Sequence, residues 1–108
     1  MSCSVLTIPQ FEKDVKKLSK KFKFIKKDLS KLIGELKEQP TQGTSLGYGV
    51  YKIRLANSSI PTGKSGGFRV ITYFIDEEEN LYLLSIYSKT EKDTISDDEL
   101  KEVLKLFI

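Results

Sequence analysis

The chain has no histidine, and its one cysteine, Cys3, stands near the amino terminus. That excludes a Ser-His-Asp triad, a Cys-His dyad and the usual zinc sites, so any proton transfer falls to Lys, Tyr, Asp or Glu. The groups of suitable type that one strand register brings together are Arg69, Tyr73, Tyr87 and Lys89. Phe68-Arg69-Val70-Ile71-Thr72-Tyr73-Phe74-Ile75 and the run from Leu81 to Tyr87 both read as strands, joined by the polar turn Asp76-Glu77-Glu78-Glu79-Asn80. Pairing Ile75 with Leu81 sets Arg69 opposite Tyr87 and Gly67 opposite Lys89. One face then carries Phe68, Val70, Thr72, Phe74, Tyr82, Leu84 and Ile86. The other carries Arg69, Tyr73, Tyr87 and Lys89, and a preceding strand adds Lys52 and Arg54 beside its buried Ile53 and Leu55. Arginine offers phosphate a planar fork, lysine a movable point charge, and tyrosine a ring on which an unstacked base can lie, so this face suits RNA. The plainer alternative is solvated charge on an exposed sheet face with tyrosine as packing. The cluster stands only with its register, because a one-residue slip turns each partner over.

Two other constellations carry less. Gly63-Lys64-Ser65 resembles the end of a P-loop, but Ser58 stands where the first glycine belongs, and Gly66-Gly67 with a β-branched strand follows where a phosphate-binding helix is required. Lys64 remains a candidate phosphate contact, since the two glycines permit close approach. The carboxylates of Asp76–Glu79 and Asp93–Glu102 read as a solvated turn and a helix start rather than a metal site.

These side chains need a scaffold, and the hydropathy pattern supplies one. Ser4 to Ile8 suits a strand, and Pro9 the first turn of a helix. Phe11, Val15, Leu18 and Phe22 form one apolar stripe at helical spacing; Ile25, Leu29, Leu32, Ile33 and Leu36 form a second, ended by Gln39-Pro40. Together they predict an αα-hairpin. Gly43, Gly47 and Gly49 mark irregular chain before the alternating strand Val50-Tyr51-Lys52-Ile53-Arg54-Leu55. After the hairpin of strands, Ser96 with Glu99 three residues on has the spacing of a capping box and opens a terminal helix. The expected fold class is α+β, an antiparallel sheet with the helical hairpin on one face, in the order β-α-α-β-β-β-α. At 108 residues the chain is expected to form a single domain, 1–108. No apolar run approaches a membrane span and the amino terminus does not read as a signal peptide, which points to a cytoplasmic protein. Net charge is +3, divided as +9 through Ile75 and −6 beyond it. The basic portion fits a polyanionic partner.

Tyr51-Lys52-Ile53-Arg54, then Gly63-Lys64-Ser65-Gly66-Gly67-Phe68-Arg69-Val70-Ile71, an acidic turn, and Leu83-Leu84-Ser85-Ile86-Tyr87-Ser88-Lys89-Thr90-Glu91 together resemble the RelE/ParE superfamily of bacterial toxins, with the HigB-type toxins as the nearest branch. The resemblance implies a toxin of a type II toxin-antitoxin system that cleaves mRNA on the ribosome without metal or other cofactor and so inhibits translation. It also implies a cognate antitoxin, with operator DNA reached only through the antitoxin complex. By the same resemblance Arg69 matches the arginine at the scissile phosphate, Lys89 a basic catalytic position, and Arg54 and Lys64 basic substrate contacts. Tyr87 is the third catalytic candidate, stacking on a base or assisting deprotonation; Lys52 and Tyr73 complete the substrate-binding set. Several relatives use a histidine or a tyrosine of the terminal segment as base, and this chain has neither. Two other readings share the residues: a ParE-like inhibitor of DNA gyrase that acts by binding, and an RNA-binding domain without cleavage.

Overall fold

The computed structural model describes residues 3–60, 67–89 and 95–105. Five strands form one sheet in the order β1-β5-β4-β3-β2, where β1 is Ser4–Thr7, β2 Thr44–Gly47, β3 Val50–Leu55, β4 Phe68–Ile75 and β5 Asn80–Ser88. Strands β2 to β5 pair antiparallel, while β1 lies parallel to β5 at the sheet edge. Between β1 and β2 the chain forms helices α1 (Pro9–Ser19) and α2 (Ile25–Glu38); α3 (Asp97–Leu104) follows β5. The α+β class and the helical hairpin follow the sequence pattern. Strand β2 is an addition, because Gly43, Gly47 and Gly49 had marked this stretch as irregular.

Each helix is placed by the stripe it buries. Phe11 and Leu18 of α1, with Ile25, Leu29, Leu32 and Leu36 of α2, are buried against the sheet, and their lysines face outward. Phe22 falls in the connection between the helices rather than on α1. It is still buried, with its ring edge-on to Phe68 at a centroid distance of 5.4 Å. Pro9 starts α1 at a position where its missing N–H costs nothing. Ser96 caps α3 as its spacing predicts: its Oγ accepts from the Glu99 N–H at 3.1 Å, and the Glu99 carboxylate accepts from the Ser96 N–H at 3.2 Å.

The β4–β5 register agrees with expectation at one end and departs from it at the other. Phe68 pairs with Ser88, Arg69 with Tyr87, Val70 with Ile86 and Ile71 with Ser85. A bulge then leaves Leu84 as an extra residue on β5, so that Thr72 pairs with Leu83, Tyr73 with Tyr82 and Ile75 with Asn80. The consequence is a correction to the faces. Beyond the bulge Leu83 and Leu81 share the helix-covered face with Thr72 and Phe74, and Tyr82 turns to the opposite face beside Tyr73. The turn also shortens, because Asn80 joins β5 and Asp76–Glu78 forms a 3₁₀ turn closed by Glu79 in a left-handed conformation.

Candidate functional site

Across β3, β4 and β5 runs a row of three residues: Arg54 opposite Arg69, and Arg69 opposite Tyr87. Directly opposed residues have Cα atoms about 5 Å apart and side chains on the same face. Two arginines therefore stand on neighbouring strands with a tyrosine at the end of the row. Two residue pairs further along, back on the same face, Lys52 lies opposite Ile71, and two beyond that Val50 lies opposite Tyr73. Arg54, Arg69, Tyr87, Lys52 and Tyr73 thus share the face away from the helical hairpin.

Lys89 is fixed just past β5. Its N–H donates to the Gly67 carbonyl at 2.9 Å, extending the ladder by the pair that the sequence register anticipates. Gly67 is where three strands converge. A Cβ there would run into the Leu55 carbonyl and come within 3.1 Å of the Asn57 nitrogen, so only glycine lets β4 begin this close to the end of β3. Lys64 lies outside the described residues.

Exposure is where the face differs from expectation. Arg69 is only 5% exposed and Tyr87 only 8%, so the row is not an open, solvated surface. Arg69 donates from Nη1 to the Phe68 carbonyl at 3.1 Å, and the Tyr87 hydroxyl oxygen accepts from the Ile95 N–H at 3.1 Å. Ile95 stands just before α3 and also lines two cavities. One, of about 460 Å³, lies between α1, β5 and α3, with Asp14, Ser85, Tyr87 and Glu99 in its wall. The other, of about 260 Å³, brings Lys52 of β3 and Leu46 of β2 together with Asp97 and Leu100 of α3. Arg54 is exposed, and Lys52, Tyr73 and Lys89 are half-buried.

Two contributors escaped the sequence pattern. Ile95 acts through its backbone, which leaves no compositional trace. Asp14 on α1 accepts from the Ser85 hydroxyl at 3.1 Å and from the Ile86 N–H at 3.2 Å, which ties the helix to the strand that carries Tyr87. Its only signal in the sequence is that it is the sole acid between Lys13 and Lys27.

A family model described as the RelE toxin of the RelE/RelB toxin-antitoxin system matches residues 11–107. The chain belongs to the RelE toxin family. Solved structures agree in fold. An arginine-substituted form of the E. coli toxin RelE in the free state superposes with a TM-score of 0.68 at 21% identity, covering 100% of both chains. The isolated E. coli RelE toxin gives 0.61 at 19% identity, covering 99% of this chain and 100% of its own. A metal-bound toxin from Helicobacter pylori gives 0.52 at 21% identity over 83% of this chain and 98% of its own. Membership of the RelE family makes this protein the toxin of a toxin-antitoxin pair and implies an antitoxin partner. Among the described residues of this RelE-family toxin, no cluster of three or more His, Cys, Asp or Glu side chains could hold a metal ion. No described helix is long and apolar enough to cross a membrane.

Proposed function

We propose that this RelE-family toxin, of the HigB-type branch, is an endoribonuclease that cleaves mRNA on the ribosome, with the Arg54–Arg69–Tyr87 row as the place where the scissile phosphate is held. The juxtaposition of the two arginines is the observation that carries the reading. Arginines opposite one another on neighbouring strands can offer one phosphate two charge-assisted contacts.

The chemistry is attack of an RNA 2′-OH on the adjacent phosphorus. The 2′-oxygen bonds to phosphorus, the bond from phosphorus to the 5′-oxygen breaks, and the products are a 2′,3′-cyclic phosphate and a free 5′-OH. Negative charge grows on the non-bridging oxygens as this occurs, and Arg69 stabilises it, with Lys64 as a second cation. The proton leaving the 2′-OH and the proton reaching the 5′-oxygen are divided between Lys89 and Tyr87, a transfer worth typically about 10²–10⁴-fold. Arg54, Lys52 and Tyr73 hold the neighbouring nucleotides by charge and by stacking. Because Tyr87 is nearly covered and its hydroxyl accepts from the Ile95 N–H, productive binding requires Ile95 to yield Tyr87 to RNA.

Mapping cuts in mRNA on translating ribosomes, beside ribosome-free RNA and an Arg69→Ala protein of normal fold, tests the reading. Ribosome-dependent cuts that vanish in the variant are expected. Intact message with wild-type protein, or unchanged cutting by Arg69→Ala, would overturn it.

A further inference from the structure

Tyr48 is 98% exposed, yet its backbone is held in the left-handed region at φ +55°. It occupies the first position of a two-residue turn joining β2 to β3, since Gly47 pairs with Val50 and Gly49, at φ +83°, takes the second. Positive φ at both positions defines the type I′ hairpin turn, for which Asn-Gly, Asp-Gly and Gly-Gly are the favoured pairs. A tyrosine in the first position strains the backbone and buries almost none of its ring, so the fold gains nothing from it.

The tip is not a loose loop. The Gly49 carbonyl accepts from the Phe74 N–H at 2.9 Å, and a Cβ on Gly49 would come within 2.9 Å of the Phe74 carbonyl oxygen and 3.3 Å of the Tyr73 ring. The turn is therefore seated against β4 beside Tyr73, on the face that carries Lys52, Arg54 and Arg69. Along β3 this places Tyr48 about 20 Å from Arg54, with Lys52 and Tyr73 on the face between them. A single RNA strand crossing the Arg54–Arg69–Tyr87 row would reach the tip a few nucleotides from the scissile phosphate.

We propose that Tyr48 is a stacking platform for an unpaired base of the RNA substrate, setting where the strand lies and leaving the chemistry to the row at the other end. This inference rests on the endoribonuclease reading for the identity of the strand. A base has a π-face whatever its identity, and an anchored, solvent-facing phenol at the end of a cationic track is what single-strand binding uses.

Three proteins decide it: wild type, Tyr48→Asn and Tyr48→Trp, all full-length. Asparagine is the residue the turn prefers, so Tyr48→Asn is expected to melt at or above the wild-type temperature. It is also expected to bind a 2′-O-methyl single-stranded RNA roughly 5- to 150-fold more weakly, the range that loss of one base–aromatic stack gives. On translating ribosomes it should raise KM and keep kcat. Tyr48→Trp should restore binding. Since the chain has no other tryptophan, its fluorescence should be quenched by that RNA and not by inorganic polyphosphate, which has charge without bases. Equal RNA affinity for Tyr48→Asn and wild type would overturn the proposal, as would an indole that polyphosphate quenches equally. A Tyr48→Asn protein that handles RNA normally but is no longer held by the antitoxin would overturn it too, giving the tip to a protein partner. Tyr48-dependent RNA binding without any cutting by wild type would leave the platform standing and remove the nuclease reading instead.

Discussion

A methyl group at Gly67 has nowhere to go, because the Leu55 carbonyl and the Asn57 N–H occupy its place. Gly67→Ala should therefore cost about 1–3 kcal/mol, the usual penalty of overpacking. It should also weaken cleavage, since the Gly67 carbonyl holds the backbone of Lys89; urea midpoints and cut rates measured together check both. Cys3 gives a pH signature. Burial, with smaller contributions from the Glu38 and Glu79 carboxylates, pushes its thiol above the usual range, outweighing its own backbone hydrogen bond. The folded state then keeps the proton longer than the unfolded chain. The contribution to stability is full below the unfolded thiol pKa and is lost as pH rises through the folded one. Wild type should accordingly lose more stability between neutral and strongly alkaline pH than Cys3→Ala; parallel urea curves would exclude this. At this scale the sequence was informative where local pairing decides. Arg69 opposite Tyr87 followed from the hairpin alone, whereas the contact of the Tyr87 hydroxyl with the Ile95 N–H depends on a segment that arrives from later in the chain.

Among the elements, β5 has an edge problem that α1 solves. Pairing with β1 ends at Leu83, so the Ile86 N–H has no strand partner on that side, and Asp14 accepts it together with the Ser85 hydroxyl. Asp14→Ala should cost about 1–3 kcal/mol by leaving these part-buried donors without an acceptor. Asp14→Asn, which keeps a carbonyl oxygen, should cost less, and equal thermal stability for the two variants would contradict the role. Helix α3 is held differently. It has a complete capping box but no fully buried residue, and only Leu100, Val103 and Leu104 pack partly against the core. Its amides should exchange with deuterium faster than those of β4 and β5, as low local burial predicts; equal protection would mean that α3 opens only with the whole fold. Helices α1 and α2 were legible because their stripes have one period and one possible face. The Leu84 bulge was not, since Leu83 and Leu84 are both apolar and alternation can be read through either. Strand β2 was hidden by the glycines that make its turn, for the positive φ that they supply is as useful to a tight hairpin as to a loop.

At the scale of the whole molecule, charge is sorted by layer. Between Lys13 and Lys31 the helical hairpin carries nine lysines, all exposed, against two acids, Asp14 and Asp28. Both acids are engaged by other parts of the chain: Asp14 by β5, and Asp28 by the Ser58 N–H and hydroxyl at 3.0 and 2.7 Å. The outer surface of the hairpin is therefore cationic, and it lies on the opposite side of the sheet from Arg69. A polyanion large enough to meet both layers would feel the hairpin as well as the site, as a ribosome would and a short free RNA would not. Replacing Lys20, Lys23, Lys26 and Lys27 by glutamine leaves every residue of the Arg54–Arg69–Tyr87 face in place. If those lysines meet RNA phosphates, the log–log dependence of kcat/KM on salt should become shallower by roughly 3, because each lost phosphate contact releases fewer counterions. Activity at saturating ribosomes should persist, since the groups proposed for cleavage are untouched. An unchanged salt slope would confine the RNA contact to the sheet face and reduce the lysines of α1 and α2 to solubilising charge.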